Sequence, residues 1–167
     1  MNLAQFLLDH DLVLPCHEHA AVMTVEESNR LMPKLPGVKT KNLFLRDRKG
    51  LRHLLVTLPA ELPVDLNALG GELGVGRLGF ASPERLLKHL GITPGSVSLL
   101  ALVNDTAQAV EFVIERTLWE ADAIQAHPLV NTATMIVGHA ELERFLAATG
   151  HSPRVIAIPA VAAGIGP

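Results

Sequence analysis

The sequence predicts a mixed α/β (α+β) fold, with helices packed around a β-sheet that is not all-parallel. Three observations carry this. Helix caps and stops recur along the chain, short apolar runs bounded by turn residues fall between them, and the two kinds of segment alternate irregularly. The composition, 49% hydrophobic and 19% charged with positive mean hydropathy, is that of a packed globule rather than a disordered chain. At 167 residues the chain is long enough for one full core, and no repeat or long linker divides it, so one domain over 1–167 is expected.

Taken in order, Asn2 caps a first helix over Leu3–Asp9. Thr24-Val-Glu-Glu27 is a capping box that opens a helix to about Leu31, ended by Pro33 and Pro36. The apolar runs Leu43–Leu45 and Leu51–Leu58 flank a polar, glycine-ended break and read as a β-hairpin. Asp65 caps a helix over Leu66–Leu73. Ser82, with Pro83 at the first helical position and Glu84 behind it, starts another, which ends at Leu90-Gly91 before Pro94. Strand-like runs follow at Val97–Val103, Ala109–Ile114, Thr132–Val137 and Val155–Ile158, with a helix over Ala140–Ala148 and Gly150 past its end.

Charge and cysteine content narrow the function. A net charge of −3 and a pI near 6.2 argue against an avid, sequence-indifferent nucleic-acid binder, and DNA is not an expected partner. Yet six of the 14 Lys and Arg residues fall between Lys39 and Arg52, opposed there only by Asp47. That cluster reads either as a solvated hairpin or as a local phosphate-binding patch. No apolar run approaches the ~20 residues that span a bilayer, so no membrane partner is expected. The N-terminal stretch has acids and no Lys or Arg, unlike a secretory signal. Cys16 is the only cysteine, which excludes an intrachain disulfide; it is expected to be a buried small residue. A cytoplasmic location follows as the expectation.

Motif scanning eliminates more than it selects. His17-Glu-His19 puts two imidazoles on one face of a strand, but without a third ligand it makes no metal site. No serine nucleophile elbow, Walker loop or dinucleotide fingerprint is present, and Gly70–Gly76 reads as a helix end and turn. Two segments remain. Gly91-Ile-Thr-Pro-Gly-Ser-Val-Ser98 is a helix stop and tight turn whose backbone N–H groups can also converge on an oxyanion. Ala126-His-Pro-Leu-Val-Asn-Thr132 holds His127 before a proline, which favours an extended backbone there; it is either polar surface or a pocket wall.

Together these segments resemble the YbaK-type aminoacyl-tRNA deacylases, a family also found as the editing domain inserted in bacterial prolyl-tRNA synthetases. The likeness is carried by Glu18–Glu27, Lys39–Asp47, Gly91–Ser98 with Val103-Asn-Asp105, and His127–Thr134, in that order; Leu142–Gly150 and Pro153–Val155 also fit. Lys41-Asn-Leu-Phe-Leu45 and His127-Pro-Leu-Val-Asn-Thr-Ala-Thr134 point to the freestanding branch that deacylates Ala-tRNA(Pro). The resemblance implies a mixed sheet curled into a partial barrel, surrounded by helices. It also implies ester hydrolysis with no cofactor and no metal. The implied partners are the alanine-charged acceptor end of tRNA(Pro) and prolyl-tRNA synthetase.

By the same resemblance, Lys41 would anchor the terminal adenosine through its phosphate and Asn42 would orient the backbone or the ester. N–H groups around Gly95 and Ser96 would hold the oxyanion, and His127 would line the pocket. Arg46 and Arg77 are assigned to the acceptor stem because both are basic and flank the matched segments, with a surface turn as the other reading of Arg77, and Met23 and Asn131 complete the substrate-binding set. Two departures stand out: Leu99 where the family loop commonly has proline, and Met23 where an aromatic residue is usual. Alternatives left open are a same-fold deacylase for Cys-, Ser- or Thr-tRNA and a non-catalytic tRNA-binding module.

Overall fold

Eight strands form two sheets in the computed structural model, which describes residues 2–21, 24, 26, 27, 30 and 34–162. The larger sheet has the order β4-β2-β3-β5-β8, built from Leu78–Phe80, Thr40–Asp47, His53–Pro59, Val110–Glu115 and Arg154–Ile156. Its hairpin β2–β3 is antiparallel, with Asn42 opposite Thr57 and Phe44 opposite Leu55. The pairs β3–β5 and β5–β8 are parallel, so the sheet is mixed. The smaller sheet, in the order β1-β7-β6, is antiparallel and uses Cys16–Glu18, Ala133–Gly138 and Ala123–Ala126.

The two sheets meet along a seam ahead of β2. Val38 bridges Ile124 in parallel, donating to Ala123 O (3.0 Å) and accepting from Gln125 N (2.9 Å). The Thr40 hydroxyl then donates to Gln125 O at 2.6 Å. Among the described residues the two sheets are thus joined at one place without closing into a barrel, within the mixed α/β fold that was expected.

Local chemistry sets the helices where the caps place them. Asn2 accepts from Gln5 N ahead of α1 (Leu3–Asp9), Asp65 from Ala68 N ahead of α2 (Leu66–Leu73), and Ser82 from Arg85 N ahead of α3 (Pro83–Leu90). Gly74 and Gly91 close α2 and α3 in the left-handed conformation. Thr24 Oγ1 accepts from Glu27 N at 3.0 Å, as a capping box requires; most of the helix expected behind it lies outside the described residues. A short α4 (Arg116–Trp119) follows β5, and α5 (His139–Thr149) runs close to its expected span.

The larger sheet is covered on both faces, which is why β3 reads Leu-Leu-Val-Thr-Leu without alternation. On one face Phe44, Leu55, Phe112 and Ile114 pack with apolar residues of α1, α3 and α5. On the other, Leu45, Leu54, Val56, Leu58 and Val113 pack with Leu69 and Leu73 of α2. Among the described residues no helix is long and apolar enough to cross a membrane.

Two expectations are corrected. The run Val97–Val103 is not a strand: Leu99–Asn104 forms a 3-10 helix, with Ser98 Oγ accepting from Leu100 N. Leu99 through Val103 are all buried, and a short, wholly apolar run carries no periodicity that separates strand from helix. Leu99 itself is a core residue. Cys16 is exposed rather than buried, because all three residues of β1 face solvent. The short elements β4, β6 and α4 left no readable sequence signal.

After the 3-10 helix, buried Asp105 accepts from Ala109 N (3.1 Å), Val110 N (2.8 Å) and His151 Nε2 (2.8 Å). It fixes the chain's entry into β5, an architectural use for the Val103-Asn-Asp105 stretch.

Candidate active site

Of the residues that the sequence singles out, Lys41, Asn42, His127 and Asn131 lie on or next to the elements that meet at the seam between the sheets. His127 follows the last residue of β6, and its Nδ1 lies 2.9 Å from Ala133 O. A carbonyl oxygen can only accept, so Nδ1 is the protonated nitrogen. In the neutral ring Nε2 is then left as a lone-pair acceptor, available to an ammonium, a hydroxyl or water. The bond closes the 127–132 loop, in which half-buried Asn131 lies and Leu129 adopts φ 68°, a left-handed conformation costly for leucine.

His19 stands against the same loop. Its backbone N–H donates to Thr132 O at 2.9 Å, and its ring centroid is 6.3 Å from that of His127. Its Nδ1 is 2.7 Å from Ala20 O and its Nε2 2.9 Å from Thr134 Oγ1. In the sequence His19 reads as half of a metal pair with His17 and as part of the family-like Glu18–Glu27 stretch, with no role of its own. Its partnership with Thr134, 115 residues away, is invisible without the fold.

Lys41 and Asn42 leave β2 beside the seam but on opposite faces, as strand alternation demands. Asn42 shares the face of Phe44, and its Oδ1 accepts from the buried Thr57 hydroxyl at 2.5 Å. Its amide N–H groups are thus the side-chain donors left for a ligand. Lys41 shares the face of Leu45, where Nζ donates to Leu62 O at 2.7 Å. Burial pushes its pKa below the ordinary lysine value. One ammonium proton is engaged, which leaves two for another acceptor.

The glycine turn is a separate piece. Pro94 and Gly95 occupy its central positions, Gly95 has φ 92°, and Ser96 N–H donates to Thr93 O at 3.2 Å, the type II pattern. That bond occupies the Ser96 N–H, and Pro94 has none, so the Gly95 N–H is the one the turn leaves unspent. Among the described residues no hydrogen bond links this turn to Lys41 or His127.

The basic residues divide by position. Arg46, half-buried, lies five residues along β2 from Lys41, about 17 Å at ~3.4 Å per residue. Arg77 is exposed and immediately precedes β4, whose Leu78 pairs with Asp47. Both therefore sit at the end of β2 remote from the seam. Met23 lies outside the described residues.

Residues 19–145 match the aminoacyl-tRNA editing domain. The chain belongs to this family. Its editing-domain chemistry is deacylation of aminoacyl-tRNA. The prolyl-tRNA editing protein ProX of Acetoanaerobium sticklandii is 36% identical over 83% of this chain and 85% of its own length. The prolyl-tRNA synthetase associated domain-containing protein 1 of Danio rerio is 39% identical over 93% of this chain and 85% of its own. A crystal structure described as a candidate trans-editing enzyme for prolyl tRNA synthetase superposes on 96% of each chain with a TM-score of 0.69 at 18% identity. At that identity the editing-domain likeness to the solved structure is one of fold.

Proposed function

We propose that this editing-domain protein acts in trans to hydrolyse the ester of alanine wrongly attached to tRNA(Pro). The observation that carries the reading is the 36% identity, across most of both chains, to a protein named for prolyl-tRNA editing. The chemistry gives such an editor its reason. A synthetase pocket that admits proline cannot strongly reject the smaller alanine, because a missing methylene is worth only ~1–3 kcal/mol. A second site that admits alanine and is too small for the pyrrolidine ring supplies the remaining discrimination.

In this reading the Lys41 ammonium, held by Leu62 O with two protons to spare, takes the phosphate of the terminal adenosine. The amide of Asn42 orients the ester, and the Gly95 N–H, rather than that of Ser96, faces the developing oxyanion. The Nε2 lone pair of His127 accepts from the substrate's ammonium or from the attacking water, and Asn131 lines the same loop. Attack by water on the ester carbon forms the new C–O bond. The ribose oxygen then leaves and takes up a proton, which frees alanine. Prolyl-tRNA synthetase is the natural source of the substrate.

Hydrolysis of Ala-tRNA(Pro), Pro-tRNA(Pro) and Cys-, Ser- and Thr-charged tRNAs by the purified chain tests this. Rapid release of alanine with proline left in place is expected. Lys41→Ala is expected to slow single-turnover release by about 10- to 100-fold, the value of one charged hydrogen bond. Equal rates on the alanyl and prolyl esters would remove the size argument, and an unchanged Lys41→Ala would remove the anchoring role.

A further inference from the structure

We propose that His19 is a positioning residue for His127, acting through the Thr134 hydroxyl; this rests on the deacylase reading above. The protons decide what His19 can do. Its Nδ1 faces the carbonyl of Ala20 and must donate, so in the neutral ring Nε2 accepts from the Thr134 hydroxyl. Both ring nitrogens are thereby occupied, and His19 has no free position from which to carry a proton to or from a substrate.

What it holds is the return of the His127 loop. Its backbone N–H bonds Thr132 O, and its ring bonds Thr134 Oγ1, so one residue grips both neighbours of Ala133. The carbonyl of Ala133 is in turn the acceptor that fixes the His127 tautomer. Three consecutive residues are thus clamped between two histidines whose rings are 6.3 Å apart. A loop that contains a leucine at φ 68° needs such over-determination to keep one conformation. Without the clamp, the Ala133 carbonyl can turn away, the His127 proton can move to Nε2, and the acceptor offered to the substrate is lost.

The test compares wild type with His19→Ala, His19→Gln, Thr134→Val and the His19→Ala/Thr134→Val double variant in single-turnover hydrolysis of Ala-tRNA(Pro). It also uses the ¹⁵N signals of the His127 ring in the free protein. Thr134→Val keeps the side-chain shape and removes only the hydroxyl. His19→Ala and Thr134→Val are each expected to slow the chemical step roughly 10- to 100-fold, as a small misplacement does, with KM little changed. The double variant is expected to be no slower than the slower single, because both cut one connection. His19→Gln, with its amide oxygen near the former Nε2, is expected to recover most of the rate. The ¹⁵N shifts should show the His127 tautomer mixed in His19→Ala and Thr134→Val and fixed in wild type and His19→Gln. A Thr134→Val protein at wild-type rate with an unchanged His127 spectrum overturns the proposal, as does a double variant whose losses multiply. If wild type itself spares Ala-tRNA(Pro), the functional reading fails, and the ring spectra still judge the clamp.

Discussion

Two adjacent glycines in α2 show how far a single residue's effect depends on what faces it. Gly70 and Gly71 both lie inside the helix, where alanine is normally favoured by about 0.5–1 kcal/mol. A methyl group on Gly70 would lie 1.8 Å from the carbonyl oxygen of Gly76, which is backbone and cannot swing aside. On Gly71 it would meet nothing within 4 Å. Gly70→Ala is therefore expected to lower stability by roughly 1–3 kcal/mol, and Gly71→Ala to raise it by about 0.5–1 kcal/mol. Urea-unfolding midpoints check both signs, and two shifts in the same direction would contradict the close approach. The sequence alone reads the Gly70–Gly76 string as a helix end and turn, which is right. It does not reveal that one glycine is a contact and its neighbour is filler.

Among the elements, α3 is docked on the β2–β3 hairpin by titratable groups. The His89 ring lies 4.2 Å from that of His53, and Phe44 is 5.8 Å from the latter. Arg85 donates to Gly50 O at 3.1 Å and reaches His53 Nε2 at 2.9 Å, which must then be an unprotonated acceptor. Burial is the main cause that pushes both histidines below their ordinary pKa. His89 and Arg85 add to it for His53, and Lys88 for His89; Asp47 and Asp105 oppose it respectively. The unfolded chain binds protons near pH 6.5 while the folded chain still resists them, so stability rises with pH in that window. It is fully present above about 6.5 and is lost as pH falls towards the lowered values. Unfolding midpoints are expected to drop between about pH 7 and 5, and a His53→Gln/His89→Gln variant to show a flatter profile. Equal slopes in the two proteins would show that this contact does not control the acid sensitivity.

Over the whole molecule, a net charge of −3 coexists with a cationic end of β2. Arg52 is neutralised there by a two-pronged ion pair with Glu111, at 2.7 and 2.9 Å. Arg46 instead donates to the backbone carbonyls of Asp47 and Arg48, and Arg77 is exposed. The proposed acceptor-stem grip therefore falls on Arg46, about 17 Å from Lys41 by strand geometry, and on Arg77, which lies further along in the same direction. Each of Arg46→Ala and Arg77→Ala is expected to weaken tRNA binding and flatten its log–log salt dependence by roughly 0.7–0.9. Arg52→Ala is expected to leave the slope alone. An Arg77→Ala protein with the wild-type slope would free that residue from the interface.

What the sequence by itself determined is mostly local. The spans of α1, α2 and α3 follow from Asn2, Asp65 and Ser82 at their starts, since a cap needs only residues three positions away. The mixed sheet and the motif strings of the family were legible for the same reason, as short-range patterns. Only the tertiary structure decided that Leu99–Asn104 is a buried 3-10 helix and that Lys41 and Asn42 look to opposite faces. It alone joined His19 to Thr134 and the 38–40 stretch to β6. These depend on register and on contacts between segments far apart in the chain, and a linear pattern holds no record of which distant groups will fill each other's hydrogen bonds.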